Sequence, residues 1–135
     1  SLIISSCTEK EYVLNNLPGT WNIAEYQRVK IDSSGHRQII LDEQNVGSWI
    51  IYDDASAAGF LDYEFNYVGS QGNQSQTGVL TVSDEAMRLI LIGGCIGCDK
   101  HFIIEMFRSE EILLNSYAPI QDTVIFQLTM RLKKI

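Results

Sequence analysis

The chain has 135 residues, of which 45% are hydrophobic and 20% charged, and its net charge at pH 7 is −7. These values are typical of a single globular domain. The ten lysine and arginine residues are scattered, so the chain lacks the basic stripe of a nucleic-acid-binding protein. Because no apolar run approaches the roughly 18 residues of a transmembrane helix, the composition predicts a soluble domain and excludes nucleic acid as a partner.

The first residues have the pattern of a lipoprotein processing site. Ile4-Ser5-Ser6-Cys7 resembles a bacterial lipobox, in which an aliphatic residue and small residues precede a cysteine and a polar stretch follows it. The thiol of Cys7 would then carry the lipid, residues 1–6 would be a signal-peptide remnant, and residues 7–18 a tether. The alternative is a chance match in an intracellular protein. The lipobox predicts a protein of the bacterial cell envelope that contacts the outer membrane through its lipid anchor alone.

Nine β-strands are predicted from residue 19 onward. Short apolar or alternating segments are separated there by turn residues, such as the Asp-Ser-Ser-Gly sequence at 32–35. A single helical turn is expected over residues 12–14, and no helix of ten or more residues is expected. The predicted strands cover residues 21–31, 38–41, 48–52, 60–68, 77–82, 87–92, 101–107, 112–117 and 123–133.

The alternation within these segments predicts that the strands close into a barrel. In residues 60–68, apolar side chains occupy every second position, as in a strand with one face in the core. The last strand, 123–133, is also long and amphipathic, and its pairing with the first would remove both exposed sheet edges. We therefore predict an all-β fold over residues 19–135, an antiparallel up-and-down meander that closes into a barrel of eight or nine strands.

The start of the first predicted strand carries a family resemblance. Gly19-Thr20-Trp21 resembles the Gly-x-Trp motif of lipocalins and of small lipocalin-like bacterial lipoproteins. The hairpin over 77–92 also resembles one found in these lipoproteins, except that Leu80 stands where they have a tryptophan. The resemblance runs from about residue 17 to residue 132 and implies a lipocalin-like barrel.

The same resemblance implies structural roles at the closed end of the barrel. Gly19 and Trp21 would lie there, with a basic residue of the last strand stacked over the indole. Arg131 is the better candidate for that residue, because a planar guanidinium stacks well on an indole. Lys133 is the other candidate.

A ligand site inside the barrel is also implied by the resemblance, since lipocalin relatives mostly bind small apolar molecules there. This chain is shorter than a full secreted lipocalin, and a smaller barrel has a small or filled interior. Bulky aromatic side chains line or fill such an interior, and for any one of them plain core packing is the favoured interpretation over ligand binding. The candidates are Trp49, Phe60, Tyr63, Phe65, Phe102 and Phe126.

Two functions follow from these expectations. The first is a lipid-anchored envelope protein whose barrel binds a small apolar or amphipathic molecule. The alternative is a structural or interaction lipoprotein whose filled barrel binds another envelope protein. An apolar cavity open at one end distinguishes the first function from the second.

The sequence Gly93-Gly94-Cys95-Ile96-Gly97-Cys98 allows three kinds of chemistry. Cys95 and Cys98 are predicted to form a disulfide across a hairpin tip, since an exported chain with Cys7 lipidated keeps one even pair. A redox-active pair is less consistent with strand flanks, because such pairs usually begin a helix. A structural zinc site with His101 would need a fourth ligand from a distance, for example His36. We predict no metal site.

Catalytic patterns are sparse. The chain has two histidines, and it has neither the nucleophile elbow of hydrolases nor a zinc-protease motif nor a phosphate-binding glycine loop. The adjacent carboxylates Asp53-Asp54 and Glu110-Glu111 fall in predicted turns, where neighbouring side chains usually point apart. We therefore predict a protein without catalytic residues or a cofactor.

Overall fold

A computed structural model of the chain describes residues 2–53, 59–70, 72–93, 95, 99–121 and 124–135, with the side chains of all of these except 2–8 and 118–121. One helix, α1 (Leu2–Asn16), precedes the strands. No helix in the described part of the chain is long and apolar enough to span a membrane. The strands are β1 (Gly19–Ile31), β2 (Arg37–Gln44), β3 (Gly47–Ile51), β4 (Phe60–Gly69), β5 (Gly72–Val82), β6 (Arg88–Leu91), β7 (Lys100–Phe107), β8 (Glu111–Gln121) and β9 (Val124–Lys134).

All nine strands belong to one antiparallel sheet that closes on itself. From β3 to β9 each strand pairs with the next in chain order, β3 pairs with the start of β1, and β9 pairs with β1 from Trp21 to Ile31. Among the described strands, β2 pairs only with the second half of β1 and extends outside the closed barrel. The predicted all-β, up-and-down barrel is therefore confirmed, with eight strands in the barrel and one beyond it.

Helix α1 covers one end of the barrel. Val13 and Leu17 are buried in the same hydrophobic core as Trp21 and Leu132, so the segment predicted as a tether contributes to the core. The expectation that the chain has no helix of ten or more residues is wrong. The β1–β2, β4–β5, β6–β7 and β8–β9 connections lie at the opposite end, which we call the open end.

A bend joins β2 to β3. Asn45 and Val46 keep backbone hydrogen bonds to β1, and the chain then turns at Gly47, whose φ is 147°. A Cβ atom at Gly47 would lie 1.9 Å from the backbone oxygen of Asn66. Glycine is therefore required here both for its backbone conformation and for the close approach of β4.

Trp21 connects the closed end of the barrel to α1. It is fully buried, with 0% of its surface exposed, and lies beside the last strand as predicted. Its indole Nε1–H donates a 2.7 Å hydrogen bond to the carbonyl oxygen of Leu17, just after α1. Gly19 has a φ of 139°, which an L side chain rarely adopts. In the Gly-x-Trp motif, the glycine therefore allows the backbone conformation at the start of β1, and the tryptophan ties β1 to the end of α1.

The cation over Trp21 is Lys134, and the prediction of Arg131 or Lys133 is wrong. The Lys134 ammonium lies 5.2 Å from the Trp21 ring centroid and 3.4 Å from the carbonyl oxygen of Asn16 at the end of α1. Arg131 alternates with the buried Leu132 along β9, so its side chain lies on the outer face of the barrel. There it forms ion pairs with Glu25 and Glu111.

Candidate functional site

A cavity of about 90 Å³ lies inside the barrel at its open end. It extends from exposed side chains at the rim to buried side chains deeper in the barrel. Its volume is well below the roughly 300–1,000 Å³ of most small-molecule sites, so it holds a small molecule or one end of a larger one. The lining residues are Tyr26, Trp49, Phe65, Gln74, Gln76, Leu91, Lys100, Phe102, Leu128 and Met130.

Trp49 is at the centre of an aromatic cluster that forms one wall of this cavity. Its ring centroid lies 5.0 Å from that of Phe65, 5.4 Å from that of Tyr63 and 6.3 Å from that of Phe102. The Phe65 and Phe102 rings meet Trp49 edge to face, a favourable arrangement for aromatic pairs. These residues come from β3, β4 and β7, which barrel closure brings together.

The indole Nε1–H of Trp49 is buried and has no hydrogen-bond partner among the described residues. A buried donor left without a partner costs roughly 1–3 kcal/mol. Most buried polar groups in folded proteins are paired, and exceptions often mark functional sites. The Trp49 side chain lines the cavity, but its Nε1–H is enclosed by protein and is not exposed to the cavity.

Polar side chains enter the cavity from β1 and β5. Gln76 donates a 2.7 Å hydrogen bond from its amide nitrogen to the Tyr63 hydroxyl. Burial, the largest effect, raises the pKa of Tyr63 above its usual value of 10.0. Burial also raises the pKa of Tyr26, with nearby Arg28 opposing the shift and Glu43 adding to it. Both phenols are therefore neutral at physiological pH.

The candidates predicted for the barrel interior are only partly brought together. Trp49, Phe65 and Phe102 line the cavity, and Tyr63 is buried behind Trp49. Phe126 lies on the inner face of β9 but outside the cavity, with the Arg28 guanidinium 5.8 Å from its ring centroid. Whether any of these residues binds a ligand stays a prediction.

The assignment of Phe60 to the barrel interior is wrong. Phe60 is 40% exposed, whereas its neighbour Leu61 is buried. Because side chains alternate along β4, the inward position of Leu61 turns Phe60 outward. Phe60 instead lies at the closed end, beside Glu11 and Leu14 of α1.

The sequence-based candidates omit all of the non-aromatic lining residues and also Tyr26. Leu128 and Met130 lie on the apolar face of β9 that was predicted from alternation, although that pattern did not mark them as cavity residues. The sequence marks Lys100 as a cavity residue only through its position two residues before Phe102, on the same face of β7. Gln74 and Gln76 were missed because the predicted strand began only after them.

The two cysteine predictions fall largely outside the described residues. Cys95 is exposed and disulfide-bonded, but Cys98 lies outside the described residues, as does the side chain of Cys7. The Cys95–Cys98 pairing and the lipidation of Cys7 therefore stay predictions. In the described part of the chain, no three histidine, cysteine, aspartate or glutamate side chains come together as a metal site. His36 contacts Ser34 and Asp32 in the β1–β2 turn.

The closed antiparallel barrel, with a helix over one end and a cavity at the other, is a calycin-type, lipocalin-like fold. Among solved structures it is similar to an S-type phycobiliprotein lyase from Guillardia theta, with a TM-score of 0.58 and 7% identity over 98% of this chain and 96% of that one. It is also similar to a deswapped triple mutant of bovine odorant-binding protein, with a TM-score of 0.53 and 12% identity over 89% of this chain and 74% of that one. These similarities describe the fold.

Comparison by sequence finds no relatives. No protein-family profile matches the chain, and no curated protein matches it. The function must therefore be argued from the cavity.

Proposed function

We propose that the protein is a non-enzymatic binding protein whose barrel takes up a small apolar or amphipathic molecule at its open end. The observation that carries the proposal is the cavity itself, whose wall of Trp49, Phe65 and Phe102 is apolar and whose rim is exposed. The odorant-binding protein with the same fold binds odorants, as its name states, and its similarity supports a ligand site inside the barrel.

The small cavity volume limits what enters. At about 90 Å³, the cavity is roughly three times the volume that one water molecule occupies in the liquid. A short alkyl chain or one edge of a ring fits this space, and any polar group of the ligand then lies near Gln74, Gln76 or Lys100 at the rim.

Methionine methyl signals in an NMR spectrum test this proposal. The chain has three methionines, of which Met130 lines the cavity, Met87 is exposed and Met106 lies near the closed end. In protein labelled at the methionine methyl carbons, hexan-1-ol should shift the Met130 signal in a saturable manner. The signals of Met87 and Met106 serve as internal controls.

A pair of variants on β9 sharpens the test. Leu128→Phe fills the cavity and should abolish the response of Met130. Ile125→Phe makes a similar change at an exposed position of the same strand and should leave the response intact. A saturable response that persists in Leu128→Phe, or an unresponsive Met130 in the wild type, would refute the cavity as a ligand site. The second outcome would favour the filled barrel that binds another envelope protein.

The proposal places this barrel in the bacterial cell envelope, attached by a lipid on Cys7. The support is the lipobox-like sequence Ile4-Ser5-Ser6-Cys7. Because Val13 belongs to the core and a helix rises about 1.5 Å per residue, about 9 Å of helix would separate the lipid from the closed end. The open end would then face away from the membrane.

Fractionation of the native host tests the anchor. Cys7→Ser should move the protein from the membrane fraction to the soluble fraction, because one modified thiol carries the attachment. Intact-mass analysis of the wild type should show that residues 1–6 are absent and that lipid mass is present. A Cys7→Ser protein that still sediments with membranes, or a mature chain that retains residues 1–6, would refute lipid anchoring and leave the ligand site unaffected.

A further inference from the structure

We infer that the ligand is a small amphipathic anion, whose apolar end lies against the aromatic wall and whose acidic head pairs with Lys100. The inference rests on the proposed ligand-binding function and specifies the class of ligand. It is carried by the distribution of charge around the cavity.

Among the described residues that line the cavity, Lys100 alone carries a formal charge. This is notable in a chain whose net charge is −7, because acidic residues outnumber basic ones elsewhere. No described carboxylate lies within ion-pair distance of the Lys100 ammonium, which lies 5.6 Å from the centroid of the Phe102 ring. The cavity therefore has a cation at its rim that no described acidic side chain neutralises.

A second cation, Arg28, lies on β1 near the open end. Arg28 lies two residues after Tyr26, on the same face of β1. Its charge acts on the Tyr26 hydroxyl. The acidic group Glu43 also acts on the Tyr26 hydroxyl and opposes the effect of Arg28 there. Its carboxylate accepts hydrogen bonds from the Tyr67 hydroxyl and from the backbone N–H of Ser70, which satisfy it within the protein and leave Lys100 as the charged group that lines the cavity.

The other polar groups of the cavity also suit an acceptor. Tyr26 lines the cavity, and because burial raises the pKa of its phenol, this group keeps its proton at physiological pH. A carboxylate accepts hydrogen bonds and donates none, whereas an ammonium would be repelled by Lys100. With about 90 Å³ of cavity, the apolar part that enters is a few carbon atoms long.

A comparison of two probes of equal chain length tests the inference. Hexanoate and hexan-1-ol are titrated separately at pH 7 and low salt, with the Met130 methyl signal as the readout. Hydrogen bonds between charged groups are roughly twice as strong as neutral ones, so we expect hexanoate to bind roughly tenfold more tightly. Added salt should reduce this preference, since Lys100 is exposed.

Two lysine variants locate the source of the preference. Lys100→Met keeps the length of the side chain and removes its charge, and it should reduce the affinity for hexanoate to that for hexan-1-ol. Lys133→Met makes the same change in net charge at an exposed position near the closed end and should keep the preference. Circular dichroism confirms that each variant is folded.

Each outcome decides between the two proposals. Equal affinity of the wild type for both probes, or a preference that survives in Lys100→Met, would refute the anionic ligand while leaving the cavity as a binding site. If neither probe shifts Met130, both the inference and the proposed function fail.

Discussion

Trp21 and Trp49 face each other across β1 and β3, but only one of them has a hydrogen-bonded indole. They are register partners in the sheet, and both are almost completely buried, at 0% and 2% exposure. The Nε1–H of Trp21 donates to the carbonyl of Leu17, whereas that of Trp49 has no partner among the described residues. The first tryptophan fixes the closed end, and the second lines the cavity.

Replacement of each tryptophan by phenylalanine should separate these roles. Trp21→Phe removes a hydrogen bond and leaves the Leu17 carbonyl without its partner, while Trp49→Phe removes a donor that has none. We expect Trp21→Phe to be more destabilising than Trp49→Phe by roughly 1–3 kcal/mol. Urea unfolding followed by circular dichroism measures both free energies. Equal losses would show that the Trp21–Leu17 bond contributes nothing.

Gly47→Ala should be one of the most destabilising single substitutions. The added Cβ would lie 1.9 Å from the Asn66 backbone oxygen, in a backbone conformation with φ of 147°. Strain and overpacking each cost roughly 1–3 kcal/mol, so we expect a loss of about 2–6 kcal/mol. Gly35→Ala is the control, because Gly35 has a φ of 87° and open space around it. A loss for Gly47→Ala no larger than that of the control would contradict the close approach.

Leu17→Ala should show that the N-terminal segment belongs to the core. Leu17 is 0% exposed, and truncation of a buried leucine typically costs about 2–5 kcal/mol. Asn15→Ala, at an exposed position of α1, should change stability by less than about 0.5 kcal/mol. Thermal or urea unfolding of the two variants provides the measurement. If Leu17→Ala behaves like Asn15→Ala, α1 does not pack on the barrel in solution.

Acid should weaken the fold partly through Glu111 and Arg131. The hydrogen bond from Arg131 holds the pKa of the Glu111 carboxyl below its usual value of 4.5. A carboxyl with a lowered folded-state pKa stabilises the protein above its unfolded pKa, and this stabilisation is lost as the pH falls through the folded pKa. The difference in unfolding free energy between wild type and Arg131→Met should therefore shrink between about pH 7 and about pH 3. A difference that is constant with pH would contradict this coupling.

Strand positions were predictable because turn residues and alternation mark them locally. All nine predicted strands are present, and their order defines the barrel. The predicted strand boundaries are wrong where the end of a strand is polar. Glu43 lies in a predicted loop, yet it belongs to β2, where it pairs with Tyr26 of β1 and its carboxylate accepts a hydrogen bond from the Tyr67 hydroxyl. The polar start of β5 was likewise predicted as a loop, since its side chains are exposed and carry no apolar period.

Helix α1 and the cavity required the folded structure. Among the described side chains of the helical segment and the residue after it, Val13 and Leu17 are buried in the core, and two positions are too few for a clear helical period. The sequence does contain the signal that Lys134, and not Arg131, is the cation over Trp21. Strand alternation places Lys134 on the same inward face as Leu132 and places Arg131 on the opposite face. The cavity depends on the separations between four or more strands, and no local pattern encodes these separations.

The pairing of β1 with β9 determines how the barrel resists force. β1 begins and β9 ends at the closed end, where Trp21 pairs with Lys134. A pulling force on the two chain ends therefore acts first on this pair. The hydrogen bonds between β1 and β9 then break one after another along the strands. Strands pulled in shear would load all of their bonds together. A force probe that grips both chain ends should therefore open the barrel at low force. Opening should begin at the Trp21–Lys134 pair of β1 and β9, at the closed end of the barrel.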